Sequence, residues 1–228
     1  MLPRVLEPEV MDTPEEARDY DAMDHAAVNR AFCEDMLAVL PKPERALDVG
    51  TGTARIPIEL CTRAPGVTVV ALDLAEHMLA LARENIERAG LASRVTVAKI
   101  DAKALPYPDG SFSAVMSNSI VHHIPEPAEV LAEMWRVTAR GGLLFVRDLH
   151  RPETEAEIDR LVTLHGGERP ADPAAVPSFE HQRSLFRASL AAALTVSEIV
   201  AFVASLGIPA SAVRMTSDRH WTLSAVKP

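Results

Sequence analysis

The chain has 228 residues, of which 48% are hydrophobic and 24% charged, with a formal net charge of −9. That length accommodates a substantial core. The acidic balance speaks against a broad nucleic-acid footprint and against an anionic membrane surface as partner. No apolar run approaches the roughly 18 residues of a membrane span. The first residues carry acids and prolines, unlike a signal peptide, so a cytoplasmic location is expected. Cys33 and Cys61 stand alone and read as small buried hydrophobes rather than a disulfide framework.

In chain order, residues 1–12 read as extended or irregular. Thr13, Pro14 and Glu16 form a helix start, with a capping box and proline in the first turn. That helix passes through Tyr20 and Met23. A second helix over 25–40 presents Val28, Phe32, Met36, Leu37 and Leu40 on one face and stops at Pro41 and Pro43. Strands follow at 46–49, 67–72, 95–99, 112–117 and 143–148. Helices lie between them: one to about Arg63, one over 75–89, and one over 127–139 broken by Gly141 and Gly142. Alternating strands and helices predict a doubly wound, mostly parallel sheet covered on both faces. Beyond it come a helix over 153–165, a Gly/Pro-rich link over 166–177, and helices over 178–194 and 195–206. A short hairpin, with strands at 212–216 and 221–226, finishes the chain. The expected organisation is one domain: a helical cap (1–43), a core (44–150), a helical insertion (151–195) and a last helix with the hairpin (196–228).

The chemistry-bearing stretch is 45–55. A short apolar strand ends at Gly50 and Gly52, which permit a tight turn and close backbone approach. A helix then begins, so its free N–H groups and positive end face the turn. A dinucleotide fingerprint requires Gly or Ala at the sixth position, where this chain has Arg55. What fits is an acid followed by Gly-x-Gly-x-Gly/Ala: Asp48, Gly50, Gly52 and Ala54. Asp73 ends the second strand, about twenty residues on. There a carboxylate can accept from both hydroxyls of a ribose or cap the next helix.

With these residues the stretch over 45–146 resembles the class I S-adenosylmethionine (SAM)-dependent methyltransferases. The likeness is to the small-molecule type that includes the ubiquinone and menaquinone C-methyltransferases. The resemblance implies a seven-stranded Rossmann-like fold, SAM as cofactor, and Asp101 at the adenine amino group, with Ala102 a further cofactor-binding candidate; a solvated loop acid is the other reading of Asp101. Leu74 and Met78 would then lie near the adenine, although a methionine at helical spacing is also an ordinary core residue. Asn118, at the exit of the fourth strand, would hold the methionine part. The alternative is a plain polar strand exit. Asp48 would hold the cofactor ammonium. Arg55, a cation in a first helical turn, is opposed by the macrodipole unless an anion sits beside it; the cofactor carboxylate is one such anion, and an outward solvated pose is the other reading. The family often has Asp where this chain has Ser113, a departure that touches strand packing rather than cofactor chemistry.

A sulfonium donor is already activated, so methyl transfer by in-line displacement mainly needs positioning and exclusion of water. Candidate proton-handling residues are Asp148, His122 and His123. Candidates for the acceptor site are Tyr20 in the cap, Arg187 in the insertion, and Arg219, His220 and Trp221 at the terminal hairpin, where a satisfied turn is the competing reading. The scattered histidines lack metal-ligand spacing, so no metal is expected. The expected partner is a small molecule, with neither nucleic acid nor membrane; the oligomeric state is open. Two other functions stay in play: a SAM-binding sensor or subunit without transfer, and a nicotinamide-dependent oxidoreductase.

Overall fold

The computed structural model describes residues 2–7 and 12–228. Of the stretch expected to be irregular, residues 2–7 have no regular structure, and residues 1 and 8–11 lie outside the described residues. Seven strands form one sheet: β1 (Arg45–Val49), β2 (Thr68–Asp73), β3 (Val95–Lys99), β4 (Phe112–Asn118), β5 (Thr138–Leu149), β6 (Val213–Met215) and β7 (His220–Val226). Their order is β3-β2-β1-β4-β5-β7-β6. The pairs from β3 to β5 are parallel, and β7 runs antiparallel to both β5 and β6. Strand order reverses between β1 and β4, and a doubly wound sheet binds its ligand at the C-terminal edge of such a switch point.

Alternation along the strands builds two cores. Leu47, Val49, Leu72, Val115, Leu144 and Val146 face one side, where they meet α5 (Pro127–Val137) and α8 (Val196–Ala204). Ala46, Val69, Ala71, Met116 and Phe145 face the other, toward α2 (Ala26–Val39), α3 (Arg55–Arg63) and α4 (Glu76–Arg88). Burial on both faces explains the nearly continuous apolar runs of the central strands. The cap helix α1 (Pro14–Ala22) carries the expected capping box of Thr13 and Glu16.

The junction between the helix over 127–139 and the fifth strand departs most from the sequence-based expectation. The helix predicted to reach residue 139 ends at Val137, and β5 already begins at Thr138. Gly141 and Gly142 do not break a helix there. They sit in a strand irregularity, where pairing steps from Phe112–Thr138 to Ala114–Leu143. Gly141 adopts φ +73° and donates its N–H to Lys227 O. A local bulge satisfies the backbone that a helix terminus would otherwise leave open. Within the Gly/Pro-rich link, Pro173–Ala175 forms a 3-10 turn that leads into α7 (Val176–Ala192). Helix α7 packs beside α6 (Glu155–His165) and a second 3-10 turn, Val121–His123, which follows β4.

Candidate cofactor and acceptor cleft

The turn after β1 is shaped by backbone constraints. Gly50 has φ +75°, and the N–H groups of Gly50 and Thr51 both donate to Leu72 O at 2.9 Å. A Cβ on Gly50 would come within 2.2 Å of Ile120 Cγ2, so glycine is required on two counts. Gly52, at φ +54°, lies beneath the ring of Tyr20, which a Cβ would meet at 3.4 Å. Ala54 has left-handed backbone, and α3 begins with no side-chain cap. Its free N–H groups are therefore open to an anion.

Beside this turn lies a cleft with about 870 Å³ of empty space. Its floor and walls come from the ends of β1, β2 and β4, the loop after β3, and Tyr20 of α1. Asp73 Oδ2 accepts from Gly52 N at 2.8 Å and Oδ1 from Ala75 N at 3.0 Å. Asp73 thus ties the glycine turn to the entry of α4. Burial raises its pKa despite the three backbone N–H groups that favour the anion. Capping of α4 falls to Asp12, whose Oδ1 accepts from His77 N at 2.9 Å. Asp101 borders the cleft and accepts from Lys103 N at 2.9 Å.

Asp48 sits under the turn, only 2% exposed, and its Oδ2 makes no hydrogen bond among the described residues. Burial pushes its pKa up to about 7, opposed by Thr51 and reinforced by the charge of Asp73. Among the described residues, Thr51 Oγ1, Thr53 Oγ1 and His25 Nε2 are likewise buried without a hydrogen bond. A buried polar atom without a partner costs about 1–3 kcal/mol, a cost that a polar ligand at these atoms would offset. All of them except Asp48 line a smaller depression of about 380 Å³ adjoining the cleft, with Tyr20, Gly50 and Asn118 shared between the two.

The cleft collects most of the expected cofactor residues. Gly50, Gly52, Asp73, Leu74, Met78, Asp101, Ala102 and Asn118 all line it, with Tyr20 above them. Arg55 lies in the smaller depression and is held by Asp21 through two bonds, at 3.0 and 2.8 Å. The anion beside the first turn of α3 is thus a protein carboxylate. Asn85 Nδ2 also donates to Asp21, at 2.9 Å. Asp21 escaped the sequence reading, because nothing in its local pattern announces a partner in α3. Ile120 and Ile124, which also line the cleft, were missed as well.

Several acceptor and proton-handling candidates need correction. Trp221 is fully buried in the core. The antiparallel register sets it opposite Asp148, and the alternation of β7 turns it inward with Leu223 and Ala225. Arg187 pairs with Glu155 and Asp159 of α6 and is no part of the cleft lining. Arg219 and His220 belong to the closed turn between β6 and β7. Arg219 Nη1 lies 2.9 Å from His165 Nδ1, and His220 Nδ1 lies 2.9 Å from Ser217 Oγ. Desolvation pushes His220 down to about 4.

Asp148 and His122 are buried behind the cleft wall, not in it. Asp148 accepts from Val121 N at 2.6 Å and Leu149 N at 2.6 Å, and its Oδ1 lies 2.5 Å from His122 Nδ1. Burial alone would raise the Asp148 carboxyl, but the charge and hydrogen bond of His122 hold it below the usual range. The reciprocal attraction raises His122 against its own desolvation. Of these three candidates only His123 reaches the cleft.

Sheet order and the cleft at its switch point define a Rossmann-like domain of the class I methyltransferase type. Residues 47–146 match the family model described as a methyltransferase domain. Over that core the chain is similar to the class I SAM-dependent methyltransferases. The demethylmenaquinone methyltransferase of Thermus thermophilus is 42% identical over 116 residues, covering 51% of this chain and 52% of the relative. The malonyl-[acyl-carrier protein] O-methyltransferase of Geobacter sulfurreducens is 37% identical over 131 residues, 56% and 47% of the two chains. The chain thus spans about half the length of the curated relatives it matches. Among solved structures, a SAM-dependent methyltransferase from Aquifex aeolicus superposes with TM-score 0.66 at 19% identity, covering 94% of this chain and 98% of that one. The [4+2]-cyclase SpnF superposes with TM-score 0.58 at 19% identity, covering 100% and 99%. Both likenesses are of fold.

Proposed function

We propose that the protein transfers the methyl group of SAM to a small-molecule acceptor. The observation that carries this reading is the row of carboxylates at successive strand ends, Asp48, Asp73 and Asp101, beside an uncapped helix N-terminus. SAM offers a complement to each. Its ammonium suits the buried, unbonded oxygen of Asp48, and its ribose hydroxyls suit Asp73 at the end of β2. The adenine amino group suits Asp101, with Leu74, Met78 and Ala102 against the ring. The carboxylate has the N–H groups at the start of α3, with Thr51 and Thr53 nearby. These assignments fit the unsatisfied atoms that the fold leaves in place.

Bound SAM supplies an activated methyl group on a sulfonium. The chain's own part is to hold donor and acceptor in line and to keep water out. Tyr20 covers Gly52 and closes the cleft from the cap side. Ile120, Ile124 and His123 line the wall that follows β4. That wall suits an acceptor with an apolar body and one polar reacting atom. In this reading His123, which borders the cleft, is the side chain that contacts that atom.

Related sequences include C-, O- and N-methyltransferases, so they leave the acceptor atom open. A fold neighbour that is a cyclase makes turnover the necessary test. The protein is incubated with methyl-labelled SAM and a fractionated small-molecule extract. The expected result is label in a low-mass product together with S-adenosylhomocysteine. Tight SAM binding with no product across broad extracts would leave a sensor, and NAD(H) binding without SAM binding would leave an oxidoreductase.

A further inference from the structure

The N-terminal segment is fastened to the cleft wall. Arg4 donates from Nε to Ala192 O at 2.7 Å, and from Nη2 to His122 O at 3.0 Å and Ile124 O at 2.9 Å. This anchor brings Glu7 against the histidine pair, although the residues are far apart in sequence. Glu7 Oε1 lies 3.5 Å from His122 Nε2 and 3.2 Å from His123 Nδ1. The three ligand atoms all fall within 4.8 Å of one another. We propose that Glu7, His122 and His123 bind a divalent first-row transition-metal ion beside the cleft.

The donor set comes first. Two imidazole nitrogens and one carboxylate oxygen suit Zn²⁺, Fe²⁺ or Co²⁺ and not a hard all-oxygen ion. Spacing agrees: ligands about 2.0–2.1 Å from a tetrahedral ion stand roughly 3.4 Å apart, and the two approaches of Glu7 bracket that value. The tautomer agrees as well. With its Nδ1–H given to Asp148 at 2.5 Å, His122 presents the Nε2 lone pair toward Glu7. A carboxylate behind a histidine ligand is the usual support of a metal site. Glu7 Oε1 itself is buried and, among the described residues, makes no hydrogen bond; a cation would satisfy it. The two imidazole rings lie 4.2 Å apart with a tilt of 34°. A modest rotation of His123, the more exposed of the two, completes the convergence. Three protein ligands leave a coordination position for water or for a ligand entering from the cleft that His123 borders.

The test uses the full chain, stripped with a chelator and titrated separately with Zn²⁺ and Co²⁺. It reads bound metal and the visible absorption of Co²⁺, so its outcome is independent of cofactor binding and turnover. One ion per chain is expected. Glu7→Gln and His123→Ala should each weaken binding by more than about tenfold and abolish the Co²⁺ band. Their melting in chelator shows whether each variant is folded; His122 is left intact because its pair with Asp148 supports the wall. Absence of saturable binding to the wild type overturns the proposal. Equal affinity in the wild type and both folded variants also overturns it, since the ion would then sit elsewhere.

Discussion

Under the proposed function, Asp48 sets folding against ligand binding in one side chain. Its pKa is raised to about 7 because the anion is buried without a full set of partners. The sign follows from linkage. A carboxyl whose folded pKa lies above its unfolded value weakens the fold as pH rises through that interval, and the penalty is complete above about 7. Asp48→Asn should therefore stabilise the ligand-free protein by about 2–4 kcal/mol at pH ~8 and hardly at all near pH 4, as measured by denaturant unfolding. The same substitution should weaken SAM binding. In the wild type, affinity for the cationic ligand should rise with pH up to about 7 and then level off, by at most about tenfold per unit. Calorimetry in the variant should give a weak, flat profile. Gly50 makes the complementary prediction. Gly50→Ala adds a Cβ that must displace Ile120 and holds a side chain at φ +75°. Strained backbone of this kind costs about 1–2 kcal/mol. Because Ile120 lines the cleft, SAM affinity should fall by more than the loss of stability alone explains. An unchanged dissociation constant would separate the turn from the cofactor.

At the scale of elements, the cleft wall depends on Asp148, a residue that the cleft does not contain. Its carboxylate gathers the N–H groups of Val121, His122 and Leu149 together with the His122 ring, and so fixes the 3-10 turn against the end of β5. Asp148→Asn keeps the shape but leaves His122 without its charged partner. The loss should be about 3–5 kcal/mol, the scale for breaking one side of a buried pair. The lowered carboxyl contributes stability above its unfolded pKa, which is lost as pH falls through the folded value. The raised histidine contributes fully below its unfolded pKa, and loses that contribution as pH rises through the folded one. The gap between wild type and variant should therefore be widest between about pH 4 and 6.5, as seen by thermal melting across pH. Adjacent histidines after a strand draw attention in the sequence, yet nothing there says that one turns back into the core while its neighbour borders the cleft. Register decides Trp221 in the same way. The sequence groups Arg219, His220 and Trp221 at the terminal hairpin, whereas pairing opposite Asp148 sends the tryptophan inward.

Over the whole molecule, the legible features are those with a short physical range. The strand, the two glycines and the next helix announce the cofactor turn within a dozen residues. The alternation of strands and helices then places Asp73 and Asp101 at the same edge as Asp48. Contacts that bring distant segments together leave no local trace, and the missed features belong to that class: Asp21 with Arg55, Arg4 and Glu7 with the histidine pair, Arg187 with α6. The resulting cleft is lined with carboxylates in a chain of net charge −9, which favours a ligand carrying cationic groups. SAM carries a sulfonium and an ammonium, whereas NAD(H) brings a negatively charged pyrophosphate to a turn whose sixth position is Arg55, already paired with Asp21. Binding to the folded state alone stabilises by about 2.7 kcal/mol at one hundred times the dissociation constant. For a chain of this size that is a rise of roughly 5–10 °C in melting temperature. SAM should produce such a shift, and NAD(H) at equal concentration should produce none. Added salt should reduce the SAM shift, because the carboxylates that attract it are screened. A salt-independent shift would mean that shape and hydrogen bonding select the cofactor, with the acidic rim playing no part.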